Sequence, residues 1–146
     1  MRPVGAEGFA LCLSKNHPLA RKQEVTVADL KGQHILWIPQ SCHPRFYSGV
    51  ISYLQSVGGS NSFMEVLGQT HALDLVAEGL GLALMPRSAA RISRMGVIVK
   101  SLADRYLSIE TALYARRDQN VGRTKDVVDR LISTLGAPGI SGDSGL

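Results

Sequence analysis

Apolar residues along this chain fall in short unbroken runs closed by proline or glycine, a pattern that predicts buried strands separated by helices. Phe9-Ala10-Leu11-Cys12-Leu13 is the first run, and the turn formers Ser14-Lys15-Asn16-His17-Pro18 end it. A short helix is expected next. Thr26 can cap it, Asp29 follows near the positive end of the dipole, and Gly32 supplies a left-handed stop. His34-Ile35-Leu36-Trp37-Ile38, closed by Pro39, reads as a parallel strand covered on both faces. Pro44 suits the first position of a helix and puts His43 at its cap. Tyr47, Val50, Ile51, Leu54 and Val57 then recur at helical spacing until Gly58-Gly59.

Phe63–Leu67 predicts a further strand, and Thr70 is placed to cap a helix that turns Leu73, Val76 and Ala77 inward and stops at Gly79. Leu80–Met85 is a second wholly apolar strand, closed by Pro86; Ser88–Arg94 reads as a short helix and Val97-Ile98-Val99 as a strand. From Ile35 to Leu102 strands and helices therefore alternate, as in a parallel or mixed sheet wrapped by crossovers, and this stretch makes one complete lobe. Leu107–Arg116 predicts a longer strand, and an amphipathic helix from about Val121 to Leu135 is expected to bury Val121, Val128, Leu131 and Leu135. Residues 136–146, rich in Gly and Ser, read as a flexible tail. The first strand, the Leu107–Arg116 strand and the last helix lie outside the alternating block and look like pieces of a second lobe.

Composition narrows the function classes. A chain of 146 residues with 45% hydrophobic content can bury a core without metal or disulfide staples. Cys12 and Cys42 have no CxxC spacing, which fits a reducing cytoplasm, and no apolar run approaches the ~20 residues of a membrane span. The net charge of +4 is spread over Arg21-Lys22, Arg87/Arg91/Arg94, Arg116-Arg117 and Lys125 without interleaved aromatics, so charge alone does not imply nucleic acid. Arg87, Arg91 and Arg94 are expected to share one solvated helix face.

Four stretches, in this order and spacing, carry a family resemblance: Leu11-Cys12-Leu13-Ser14-Lys15-Asn16-His17-Pro18-Leu19-Ala20; Val27-Ala28-Asp29-Leu30-Lys31-Gly32; Ala72-Leu73-Asp74-Leu75-Val76-Ala77-Glu78-Gly79-Leu80-Gly81-Leu82-Ala83-Leu84-Met85-Pro86; and Leu113-Tyr114-Ala115-Arg116-Arg117-Asp118. Over about residues 8–135 the sequence resembles the effector (substrate)-binding domain of LysR-type transcriptional regulators. The resemblance implies an α/β, type II periplasmic-binding-protein-like fold, with one complete doubly wound lobe plus part of a second. Lobe two is expected at about 19–103 and remnants of lobe one at about 8–18 and 104–135. It further implies a small-molecule effector, no cofactor, no membrane, and homo-oligomers formed through helix Pro44–Val57. The winged helix-turn-helix with which such regulators start is not in this sequence, so this chain alone is expected not to bind DNA specifically.

Ligands of α/β sheets bind beyond the carboxyl ends of strands. Two such ends are recognisable, Pro39-Gln40-Ser41-Cys42-His43 and Gly68-Gln69-Thr70-His71, each leading into a helix whose free N–H groups can receive a carboxylate. Gln40, Ser41, Cys42, Thr70 and His71 are the candidate effector-binding residues, for a small anionic metabolite. Two other readings stand beside this one. Ser41, His43 and Thr70 could serve only as helix caps, and Cys42 could act as a nucleophile with His43 or His71 as base. A solute-binding protein of the same fold is the remaining class. No group of His, Cys, Asp and Glu has metal-ligand spacing.

Overall fold

The computed structural model describes residues 2–92, 94–113 and 122–135. These residues divide into two compact units. The larger is Gly8–Leu107, and the smaller joins residues 2–7 to 108–113 and 122–135.

In the larger unit, β1 (Arg2–Ser14, which begins in the smaller unit), β2 (His34–Trp37), β3 (Ser62–Glu65), β4 (Leu82–Pro86) and β5 (Val97–Ser101) form a sheet in the order β3-β2-β4-β1-β5. β2 runs parallel to β3 and to β4, while β1 runs antiparallel to β4 and β5, in registers that include Phe9↔Pro86 and Cys12↔Val99. Phe9–Leu13, expected outside the alternating block, thus lies inside its sheet. Every residue of that run is buried, and only a strand flanked on both edges satisfies its backbone groups there. β1 also extends back to Arg2, through a polar and Gly-containing stretch that apolar patterning does not pick out.

Two helices cover this sheet, α1 (Pro44–Gly58) and α2 (Gln69–Ala77). Alternation along the strands separates two faces. Ala10, Cys12, Leu36, Ala83 and Met85 pack with Ala72, Leu73 and Val76 of α2. On β1 and β2, Phe9 and Trp37 point the other way and stack with Phe46 of α1, with ring centroids 5.9–6.0 Å apart. A sheet so covered needs near-continuous apolar strands, which is why Ile35–Trp37 and Leu82–Met85 read as unbroken runs.

Two of the predicted helices are single 3-10 turns. Val27–Leu30 is one, with Thr26 at its N-cap as expected and joined to Asp29 in a capping box: the Asp29 carboxylate accepts from the Thr26 amide at 2.9 Å and hydroxyl at 3.1 Å. Lys22, 2.5 Å away, and these Thr26 donors hold the Asp29 carboxyl below its ordinary range. Ala89–Arg91 is another, so Arg87, Arg91 and Arg94 do not share a helix face, and Arg94 pairs with Asp74 of α2. His17 closes the turn after β1: its Nδ1 accepts from the Leu19 amide at 3.2 Å, which leaves Nε2 to donate to Gln33 Oε1 at 3.3 Å.

Leu80-Gly81, read as strand, precedes β4. Gly79 is left-handed (φ 77°), and Leu80 beyond it is 54% exposed. At Gly81 the chain passes close against β2, because a Cβ there would stand 2.9 Å from the His34 carbonyl oxygen. Likewise Leu67, expected in a strand, lies past the end of β3 and is 92% exposed.

The smaller unit contains the first residues of β1, β6 (Ser108–Leu113), which pairs with β1, and α3 (Arg123–Leu135). Leu131 of α3, expected to be buried, is 41% exposed, and Val128 is half-buried. Two strands and one helix offer too little apolar surface to cover that stripe. Tyr114–Arg116 of the predicted strand, Val121 and the 136–146 tail lie outside the described residues.

Candidate functional site

The parallel strands β2, β3 and β4 point their carboxyl ends to one end of the sheet, and all the candidate residues lie in the segments immediately after β2 and β3. Gln40, Ser41 and Cys42 form a turn closed by the Cys42 N–H on the Pro39 carbonyl at 3.0 Å. Thr70 and His71 stand in the first turn of α2. All five are exposed. Because β3 lies on one side of β2 and β4 on the other, the chain reverses its direction across the sheet here, the place where open α/β sheets form their ligand crevice.

Neither helix that starts at this end has a side-chain cap. His43 is the N-cap of α1 and makes no capping bond. α2 is capped by Gly68, which has no side chain to offer, and Thr70 lies two positions beyond that cap. The expected Thr70 cap is therefore corrected by two positions: the N-cap is Gly68, and Thr70 is the second residue of the helix. Among the described residues, the N–H groups of Arg45, Phe46, Thr70 and His71 consequently receive no capping oxygen, and each pair stands at the positive end of its own helix dipole. Such an arrangement can hold a carboxylate, phosphate or sulfate by charge-assisted hydrogen bonds.

Three further groups at this end escaped the sequence reading. Glu65, the last residue of β3, pairs with Trp37 in the parallel register, and its Oε1 accepts from the Gln40 N–H at 3.1 Å. Its place past the strand end depends on that register, which no local pattern shows. Trp37 is 2% exposed, and its indole Nε1 has no acceptor among the described residues. Arg87 follows β4 at the same end of the sheet, where its N–H donates to the Gly8 carbonyl at 3.1 Å and its guanidinium lies against Gly8.

A family model, the LysR substrate binding domain, matches residues 1–136. The chain belongs to that family. It is 26% identical over 111 residues to the HTH-type transcriptional regulator AlsR of Bacillus subtilis (strain 168), a stretch that covers 75% of this chain and 37% of AlsR. It is 31% identical over 94 residues to the HTH-type transcriptional regulator IlvR of Caulobacter vibrioides, covering 64% of this chain and 31% of IlvR. The chain thus spans about a third of the length of these regulators. Among solved structures, the effector-binding domain of BenM with its effector benzoate superposes with a TM-score of 0.73 at 21% identity, over 98% of this chain and 65% of that one. The effector-binding domain of a BenM variant gives the same TM-score at 20% identity, over 99% and 68%. At such identities the likeness concerns the fold, which is the type II periplasmic-binding-protein-like α/β architecture expected from the sequence.

Within this LysR-type fold the thiol-enzyme reading finds no support. Cys42 is exposed, and among the described residues neither His43 nor His71 hydrogen-bonds its thiol. The family is one of transcriptional regulators. Among the described residues no three His, Cys, Asp or Glu side chains come together as metal ligands.

Proposed function

We propose that this chain is the effector-sensing part of a LysR-type transcriptional regulator and that the ends of β2 and β3 hold a small anionic metabolite. Two helices, α1 and α2, start after adjacent parallel strands without a side-chain cap, and this single observation carries the reading. Ser41, Thr70 and His71 add side-chain donors beside them, Gln40 and Cys42 belong to the turn that frames them, and Arg45 brings a full positive charge to the second position of α1. Benzoate, bound as effector in the BenM domain, is a carboxylate, the kind of group these donors fit.

Sensing without chemistry needs no cofactor. α1, whose outer residues include the half-buried Tyr47 and Ile51 and the exposed Val57, is the face through which copies associate. DNA recognition belongs to another part of the regulator, and the setting is the cytoplasm. Among the described residues no helix is long and apolar enough to cross a membrane.

Amide chemical shifts of the chain, followed while a panel of small carboxylates is added, test the site. Saturable shifts at residues 40–46 and 69–71 are expected. Saturable binding that leaves both segments unmoved would place the effector elsewhere and sink the proposal.

A further inference from the structure

We propose that Glu65 is a specificity-determining residue of this site, an internal carboxylate that competes with incoming anions and keeps ambient inorganic ones out. The inference rests on reading these strand ends as an anion site. Glu65 is the one acidic residue in segments 39–46, 65–71 and 86–88, which otherwise carry Arg45, Arg87, His43 and His71 with the two open helix starts. Its side chain reaches past the end of β3 and takes the Gln40 N–H at 3.1 Å, one of the backbone donors of the β2–α1 turn.

Stability does not call for that contact. Gln40 and Glu65 are both exposed, so water would serve the amide as well, and a solvated hydrogen bond adds little to folding. Its effect falls on the ligand. An anion that uses the Gln40 amide must first displace Glu65, and an anion bound at the neighbouring helix starts feels the repulsion of a fixed negative charge. A small inorganic ion has few other contacts to offset this. A metabolite that also engages the hydroxyls of Ser41 and Thr70 has more, so Glu65 widens the gap between the two.

The test is a titration of the 146-residue chain with sodium sulfate at constant ionic strength, read from the amide shifts of residues 40–46 and 69–71, for the native protein and Glu65→Gln. The glutamine keeps an oxygen that can accept from Gln40, so the turn is retained while the charge is lost. Sulfate should bind Glu65→Gln about 5–10-fold more tightly than the native chain, as expected when one charge-assisted competitor is removed. Thermal stability should be unchanged. Equal sulfate affinity of the two proteins at these amides overturns the role of Glu65 and leaves the anion site standing. If these amides shift in neither protein, the site itself is wrong and the inference fails with it.

Discussion

Tyr53, in the middle of α1, donates its phenolic hydrogen to Asp104 Oδ2 at 2.6 Å, although 51 residues separate the two. The other oxygen of the same carboxylate accepts the backbone N–H groups of Tyr106 at 2.7 Å and Leu107 at 3.0 Å. The Tyr53 and Tyr106 rings lie 5.9 Å apart, and the Arg105 guanidinium sits over the Tyr106 ring. One side chain thereby ties the segment that leaves β5 to the helix on which the oligomer proposal rests.

The hydrogen bond to Asp104 is the main cause that pushes the Tyr53 phenol up from 10.0 to about 12, with burial and the Asp104 charge adding to it. A raised phenol stabilises the protonated form in the folded state. Its contribution is therefore complete below about pH 10, where unfolded tyrosines are neutral, and disappears as the pH rises towards 12. Tyrosinate absorbance should show one phenol titrating last, and Asp104→Asn should bring it back towards the ordinary range. In Tyr53→Phe that late phase should be absent. An unchanged titration curve in both variants would mean that the bond does not form in solution.

Gly79 and Gly81 are required for different reasons, and substitution separates them. Gly79 needs a left-handed backbone (φ 77°) and faces open space, so Gly79→Ala should cost about 1–2 kcal/mol while Gly79→Asn, which tolerates that conformation, should cost less. At Gly81 the limit is room. An added Cβ meets the His34 carbonyl oxygen at 2.9 Å and Leu36 at 3.1–3.2 Å, so Gly81→Ala should cost about 1–3 kcal/mol and Gly81→Asn at least as much. Urea unfolding of the four variants measures this, and the same ranking of Ala and Asn at both positions would contradict it.

The two cysteines should differ in reactivity. Cys12 is fully buried in β1, and burial pushes its thiol up to about 11, so at pH 8 roughly a thousandth of it is thiolate. Cys42 is exposed in the turn after β2. A colorimetric thiol reagent at pH 8 should label one equivalent quickly and the second only after denaturation. Cys42→Ala should abolish the fast phase. Rapid labelling of both thiols in the folded protein would show that the β1 strand opens readily.

Where one residue type decides the local structure, the sequence was legible. Pro44 starts α1, Gly32 and Gly79 take positive φ, and the runs around Leu36 and Leu84 are covered strands. The features it hid depend on pairing between distant segments. That Phe9–Leu13 inserts antiparallel between β4 and β5 is fixed by which edges remain open after folding, and nothing within the run announces it. Glu65 comes beside Gln40 in the same way, through its register with Trp37. The Ser88–Arg94 helix failed because short segments have little propensity to set against tertiary contacts, here the pairing of Arg94 with Asp74. That the candidate residues follow β2 and β3 was readable from strand ends, whereas the Glu65 contact with Gln40 and the absence of side-chain caps were not.

That absence separates ligand contacts from capping at Ser41 and Thr70. Substituting a capping Ser or Thr by Ala costs about 0.5–2 kcal/mol of stability, but His43 and Gly68 hold the cap positions here and neither makes a side-chain capping bond. Ser41→Ala and Thr70→Ala should therefore leave the melting temperature within about a degree of the native value, since exposed substitutions away from such features change little. Effector affinity should behave differently. Losing one hydrogen bond to a charged ligand group should weaken binding by about 1–2 kcal/mol per variant, a roughly 5–30-fold rise in Kd. Calorimetric titration with whichever carboxylate saturates the native chain, paired with thermal melts of the same samples, reads both quantities. A lowered melting temperature with unchanged affinity would return Ser41 and Thr70 to a purely structural role and leave the contact to the backbone N–H groups of α1 and α2 with Arg45 and His71.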